Sequence, residues 1–401
     1  MSKAKPKSQK EQRKEIVEKF SKAILEASQT YGKDPALVTK AEYTEFTELP
    51  EWQIRKIGGF NNLKKVVFPF DEQDLASIRE QQRAKNYISK LERDLGDKQS
   101  FERNALLLVE NAIKKLKPKS LKIPKKTSPK TKRKMTMELM LSDIHYGKKT
   151  DTFNLEVCRS RMKKLTEVFL LEMEQKEKTY NVERVVLALI GDILESYTMH
   201  GKESALSCEF TNPVQMVSAI ESIFEDTIVP IAKTGVKITI PCITGNHDRH
   251  DPKKTYNQPG MNNLSYVVYK SIEMLAKSYN LKNVEFIIPK DSYTVLDIYG
   301  SNVLYEHGDE LQNTAKNTIL SHMEKRGRQV KKQLHMSRFG HWHEYVCYDR
   351  GRIIINESVC GQDSYAKVKG FVSTAGQTIN YYVDTKNRPT SFYYSFPVYL
   401  G

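Results

Sequence analysis

Thiol chemistry has little foothold in this chain. Its five cysteines, Cys158, Cys208, Cys242, Cys347 and Cys360, are scattered over 401 residues with no C-x-x-C pair. An odd, dispersed set excludes a closed disulfide framework and suggests no thiolate zinc site, so these cysteines read as reduced packing residues. Long apolar runs are missing too: nothing approaches the ~20 residues of a membrane span. The N-terminus is rich in Lys, Gln and Glu and lacks the apolar core of a secretory leader. The expectation is a soluble, cytoplasmic protein with no membrane partner. Acidic residues are also short, 49 Asp and Glu against 64 Lys and Arg, a formal net charge of +15. That surplus favours a polyanionic partner, nucleic acid or an anionic surface.

The N-terminal third carries helical patterning. Glu11 to Gln29 places Ile16, Val17, Phe20, Ile24 and Leu25 at helical spacing, with Tyr31-Gly32 as the stop. Short helical runs follow at Leu37 to Phe46, from Pro50 through Trp52, Ile54 and Ile57, and from Asn61 to Val67. This is enough for a small all-α module over residues 1–70. The order Tyr31-Gly32, Pro35, Ala41-Glu42-Tyr43, Ile57-Gly58-Gly59-Phe60-Asn61 resembles the small helical repeats attached to homing endonucleases. That resemblance implies DNA binding; a docking or dimerisation module is the alternative. Residues 71–113 read as a charged helical connector through which a homodimer could form.

Residues 114–134 hold eleven Lys and Arg, three prolines and no acidic residue. Such a stretch buries too little to fold and reads as a flexible basic linker, able to track phosphates by counterion release.

From residue 135 onward the pattern alternates. A strand leads into Asp143, a helix runs from Asn154 toward Glu174, and a strand over Val185 to Ile190 leads into Asp192. A helix from Asn212 to Ala232 follows, N-capped by Asn212 before Pro213, and then a strand from Lys237 into Asn246. This order argues for α/β layers with parallel strands at the centre, whose ligands gather at the strands' carboxyl ends. Short strands follow at Tyr345 to Tyr348, Arg352 to Asn356, Gln377 to Val383 and Ser391 to Val398, with a hairpin signal at Asp349-Arg350-Gly351.

Polar clusters close the strand-like runs: Asp143-Ile144-His145, Gly191-Asp192, Gly245-Asn246-His247-Asp248, His307-Gly308 and Gly340-His341-Trp342-His343. This ordered set, D-x-H, GD, GNHD, HG, GH-x-H, resembles the calcineurin-like metallophosphoesterase superfamily. The resemblance covers residues 135–401 and implies a two-sheet β-sandwich flanked by helices, whose second sheet the late strands would complete. It further implies that Asp143, His145 and His343 hold one metal ion, that Asn246, His307 and His341 hold another, and that Asp192 bridges them. A hydroxide held between the ions is then the implied nucleophile. His247 would protonate the leaving oxygen and Asp248 would orient the loop. Nitrogen and oxygen donors without thiolate suit manganese, iron or zinc, with Mn2+ first on family grounds.

Two connections would wall the cleft. Ser196 to Thr211 contains His200; Arg249 to Asn263 contains Arg249, His250 and Tyr256, whose charges could clamp phosphate and whose ring could stack on a base. After Gly191-Asp192 the chain continues Ile193-Leu194-Glu195-Ser196, without the arginine of protein serine/threonine phosphatases. The run is more similar to the DNA-repair nuclease branch, whose members carry a capping domain after the last histidine motif, where about sixty mostly strand-like residues follow here. The reading is a metal-dependent phosphodiesterase acting on nucleic acid, as a DNA nuclease. Its alternatives are a phosphatase or cyclic-nucleotide phosphodiesterase for a small molecule, and a nucleic-acid-binding scaffold with a vestigial site.

Overall fold

The computed structural model describes residues 8–68, 120–127, 131–198, 207–251, 253–254, 256–362, 374–385 and 392–401. The 71–113 connector, the rest of the basic linker and His200 lie outside the described residues. The chain divides into two compact units, Met1–Phe101 and Glu102–Gly401.

In the first unit, α1 spans Gln9–Tyr31. Ser8 and Glu11 close its start as a reciprocal capping box, and Gly32, at φ 61, ends it in the left-handed conformation that glycine adopts without strain. Thr39 and Glu42 cap α2 (Lys40–Thr44) in the same way; α3 (Glu51–Lys56) and α4 (Phe60–Val67) complete the unit. Phe20, Ile24, Tyr43, Ile54 and Leu63 are buried together, with the Phe20 and Tyr43 rings 4.8 Å apart. Of the residues that carry the repeat-like pattern, Tyr43 belongs to this core and Ile57 and Phe60 pack against it.

The second unit is α/β with two sheets. The first contains β1 (Lys134–Leu141), β2 (Asn181–Ile190), β3 (Lys237–Ile243), β4 (Val284–Ile287), β10 (Gly376–Val383) and β11 (Phe392–Tyr399), in the order β11-β10-β1-β2-β3-β4. Strands β1 to β4 are mutually parallel, as the sequence pattern predicts, and β10 joins β1 antiparallel. The second contains β5 (Tyr293–Ile298), β6 (Ser301–Glu306), β7 (Met336–Phe339), β8 (Val346–Tyr348) and β9 (Ile353–Ile355), in the order β5-β6-β7-β9-β8. Helices α5 (Leu155–Glu177), α6 (Asn212–Glu221), α7 (Val229–Ala232) and α8 (Leu264–Ser278) pack on the first sheet, and α9 (Lys316–Val330) packs on the second.

Several expectations are corrected. Strands β10 and β11 complete the first sheet, not the second. Every residue of β1 after Lys134 is buried, and its backbone groups need a partner on the side away from β2, which β10 supplies. The single helix over 212–232 is interrupted by a π-turn at Ser222–Ile228 just before Pro230, whose missing N–H prevents an unbroken ladder. Thr211, not Asn212, occupies the N-cap of α6, and the Asn212 side chain instead accepts from the Tyr197 N–H at 3.2 Å. Residues 120–127, within the stretch read as a linker, lie on this unit: Leu121 donates to the Tyr279 carbonyl at 3.2 Å, and Leu121 and Ile123 pack on the core.

Between the sheets lies a buried polar network. Glu138 on β1 and Arg338 on β7, both 0% exposed, pair at 2.8 Å. Tyr305 on β6, with Asn380 and Tyr382 on β10, bonds to the same carboxylate. No described helix is long and apolar enough to cross a membrane.

Candidate metal centre

The polar clusters meet where β1, β2, β3, β6 and β7 end. Their loops are laced by backbone hydrogen bonds: Asp143 N–H to Gly191 O at 3.1 Å, His145 N–H to Asp192 O at 3.0 Å, and Gly340 N–H to His307 O at 2.8 Å. Asp143, His145, Asp192, His341 and His343 all have positive φ, five of the twelve such non-glycine residues among those described. Side chains avoid that region, so its concentration here marks a place where geometry is imposed by the surrounding structure.

Three groups converge with their ligand atoms within 4.8 Å of one another: Asp143, His145 and His343; His145, Asp192 and His247; and Asp192, His307 and His341. Asp192 belongs to two of them. Its Oδ2 lies 3.1 Å from His307 Nε2 and 4.0 Å from His145 Nε2, while its Oδ1 accepts the His247 N–H at 2.8 Å. Asn246 joins this side, with Oδ1 at 3.1 Å from His307 Nε2. On the other side Asp143 Oδ1 lies 3.2 Å from His343 Nε2, and both its oxygens accept the His341 N–H at 3.0 Å.

These contacts fit a divalent cation. Nδ1 of His307 lies 2.9 Å from the Ile190 carbonyl and donates to it, so in a neutral ring Nε2 carries a lone pair. That lone pair faces two acceptor oxygens, of Asp192 and Asn246, an arrangement stable only with a cation or a proton among them. His145 Nε2 and His343 Nε2 likewise face each other at 3.2 Å. The same crowding appears in the ionisation. Burial opposes charge on His307, but the carboxylates of Asp192 and Asp143 push it up to about 10. Burial also opposes charge on Asp192, which the His307 and His247 charges hold well below the ordinary carboxylate range. His341 is pushed down to about 4, first by burial and then by the charge on His307.

Asp248 is fully buried and accepts from Gly245 N–H at 2.9 Å and Leu194 N–H at 3.1 Å, tying the loops after β2 and β3 together; burial and the nearby Asp192 charge raise it to about 6. His247 is half-buried. Its Nδ1 lies 2.9 Å from the Glu195 carbonyl and its ring meets His145 edge-on, centroids 4.8 Å apart. Arg249 is not open to a substrate phosphate: it pairs with Asp309 at 2.5 Å, and Lys254 pairs with Asp309 and Glu310. His250 is partly buried on the same loop, and Tyr256 there is 85% exposed.

Two residues not assigned from the sequence adjoin the centre. Glu195 places Oε2 2.8 Å from His145 Nδ1 and 3.4 Å from the Nζ of buried Lys148. The carboxylate fixes the His145 ring so that Nε2 faces the cluster, and it is held ionised, against burial, by Lys148 and His145. Its signal was the acidic residue three places after Asp192.

Glycines make room for the carboxylates. A Cβ on Gly245 would meet Asp192 Oδ1 at 2.0 Å, and one on Gly340 would meet Asp143 Oδ2 at 2.4 Å. Gly245→Ala is therefore expected to dislodge Asp192 and cut bound metal at least tenfold, in the manner of a lost supporting contact. Elemental analysis after dialysis against a fixed metal concentration checks this.

No family model and no curated protein matches the chain. Solved structures that resemble it include an archaeal phosphodiesterase, 14% identical over 65% of this chain and 99% of that one, with a TM-score of 0.31. Vps29 of Entamoeba histolytica complexed with zinc is 11% identical over 66% of this chain and 99% of its own, TM-score 0.28. A hypothetical protein of Pyrococcus horikoshii is 13% identical over 66% and 87%, TM-score 0.29. At such values the likeness carries no argument about activity; the α/β two-sheet architecture rests on the strand order itself.

Proposed function

We propose that this chain is a metal-dependent phosphodiesterase acting on nucleic acid, as a DNA nuclease. The observation that carries the metal-dependent part is the shared Asp192, set between two groups of nitrogen and oxygen donors at the ends of five strands. In the proposed arrangement Asp143, His145 and His343 hold one divalent ion, Asn246, His307 and His341 hold a second, and Asp192 belongs to both. Such ions, when bound, supply Lewis-acid charge to a phosphoryl group and activate water.

The chain's own residues do the rest. Glu195 and the Ile190 carbonyl orient the rings of His145 and His307. His247, anchored by Nδ1 on the Glu195 carbonyl, can carry a proton on Nε2 toward a leaving oxygen. The nucleic-acid part is supported by the net charge of +15 and the basic stretch at 114–134. Absence of an arginine after Gly191-Asp192 supports a diester over a phosphoprotein.

The test is hydrolysis by metal-stripped protein, with Mn2+ restored, of duplex and single-stranded DNA, RNA, a chromogenic diester and the matching monoester. DNA and diester cleavage, reduced by about 10²–10⁴ in His247→Ala, is the expected result. Turnover of the monoester alone, with DNA intact, would overturn the reading.

A further inference from the structure

A second basic feature lies away from the metal centre. Helix α9 ends in Arg328-Gln329-Val330 and runs directly into Lys331-Lys332-Gln333. A groove of about 440 Å³ opens there, with buried Met323 and Leu334 among its lining and exposed Arg328, Lys331, Lys332 and Arg352 around it. Arg328 pairs with Glu324 at 2.5 Å. Among the described residues no carboxylate pairs with Lys331, Lys332 or Arg352. The backbone holds these charges in place. Lys332 N–H donates to Gly327 O at 3.0 Å, and a Cβ on Gly327 would meet Lys332 O at 2.8 Å. Lys331 itself is left-handed, φ 54 and ψ 40, where glycine would be relaxed and lysine is strained.

Strand register sets the least distance between the groove and the centre. The Asn302 side chain donates to Gln333 O at 2.8 Å, and His307 follows five residues further along β6. At about 3.4 Å per residue that is roughly 17 Å. A nucleic-acid strand carries a phosphate every ~3.4 Å of helix axis, so at least about five base pairs are needed to cover the gap.

We propose that this groove binds the phosphate backbone of a nucleic acid whose scissile bond sits at the metal centre; the inference rests on the nucleic-acid reading above. The groove holds the substrate beyond about five base pairs from the cut. Substrates shorter than that do not feel it.

The test uses full-length, metal-free protein and a 30-base-pair duplex, with binding read by fluorescence anisotropy from 50 to 200 mM salt. The variant is Lys331→Gly with Lys332→Gln. Removing two phosphate contacts should flatten the salt slope by about 1.8, so that the wild type loses roughly tenfold more affinity than the variant across that range. Its melting temperature should not fall, because glycine relieves the strain at 331, and turnover of a chromogenic diester should match wild type. Equal slopes and affinities would overturn the proposal. So would a lower melting temperature with unchanged binding, which would assign the charges to the helix dipole alone. If the wild type with Mn2+ restored, assayed beside it, leaves the duplex uncut, the nuclease reading fails while the slopes measured without metal still decide the groove.

Discussion

Asp192→Asn should abolish diester hydrolysis, with a loss of at least about a thousandfold, equivalent to roughly 4 kcal/mol of transition-state stabilisation. The substitution keeps the shape of the side chain and removes its charge. Oδ2 of Asp192 sits 3.1 Å from His307 Nε2 and 4.0 Å from His145 Nε2, between the two proposed donor groups. An amide offers N–H donors or a neutral oxygen in its place. Loss of charge there should weaken both proposed ion sites together, whereas His343→Ala should weaken only the one proposed for it with Asp143 and His145. Steady-state turnover with Mn2+ titrated from sub-stoichiometric levels reads the difference: high metal should partly rescue His343→Ala and leave Asp192→Asn inactive.

The second large effect lies outside the centre. Arg338→Met should cost about 3–5 kcal/mol, because it leaves the Glu138 carboxylate buried without its counter-charge. For a unit of this size that is a fall in Tm of roughly 10 °C. Combining it with Glu138→Leu removes the orphaned charge and should recover part of the loss, though the hydroxyls of Tyr305 and Tyr382 still lose a partner. The network matters to the site because its strands carry the candidate metal ligands. Asp143 lies five residues after Glu138, His307 two after Tyr305 and His341 three after Arg338. Calorimetric melting of the single and double variants checks the energetics; full stability in Arg338→Met would show that the pair contributes nothing net.

Much of the fold was legible because strand and ligand signals coincide. Runs such as Val185–Ile190 and Lys237–Thr244 are β-branched and end on glycine beside Asp192 and Asn246, so periodicity and chemistry point to the same strand ends. The structure brings Asp143, His145, Asp192, Asn246, His307, His341 and His343 together at those ends.

What stayed hidden depends on contacts between distant parts of the chain. The assignment of β10 and β11 to the first sheet follows from the bare edge of β1, which no local pattern displays. Glu138 and Arg338 are 200 positions apart and each, read alone, is a charged residue in an apolar strand. Arg249 has the composition of a phosphate clamp, but Asp309, brought beside it by the loop after His307, already neutralises it. In α9 dense charge blurs the helical period, and β4 and β5 are apolar runs too short to stand out.

The proposed function stands or falls on two ions held around the one carboxylate of Asp192. Native mass spectrometry of metal-stripped protein titrated with Mn2+ tests it most directly. Two equivalents bound per chain are expected in the wild type, and fewer than one in Asp192→Asn at the same free metal concentration. A wild-type chain that binds none, or an Asp192→Asn chain that binds two as tightly, would contradict it.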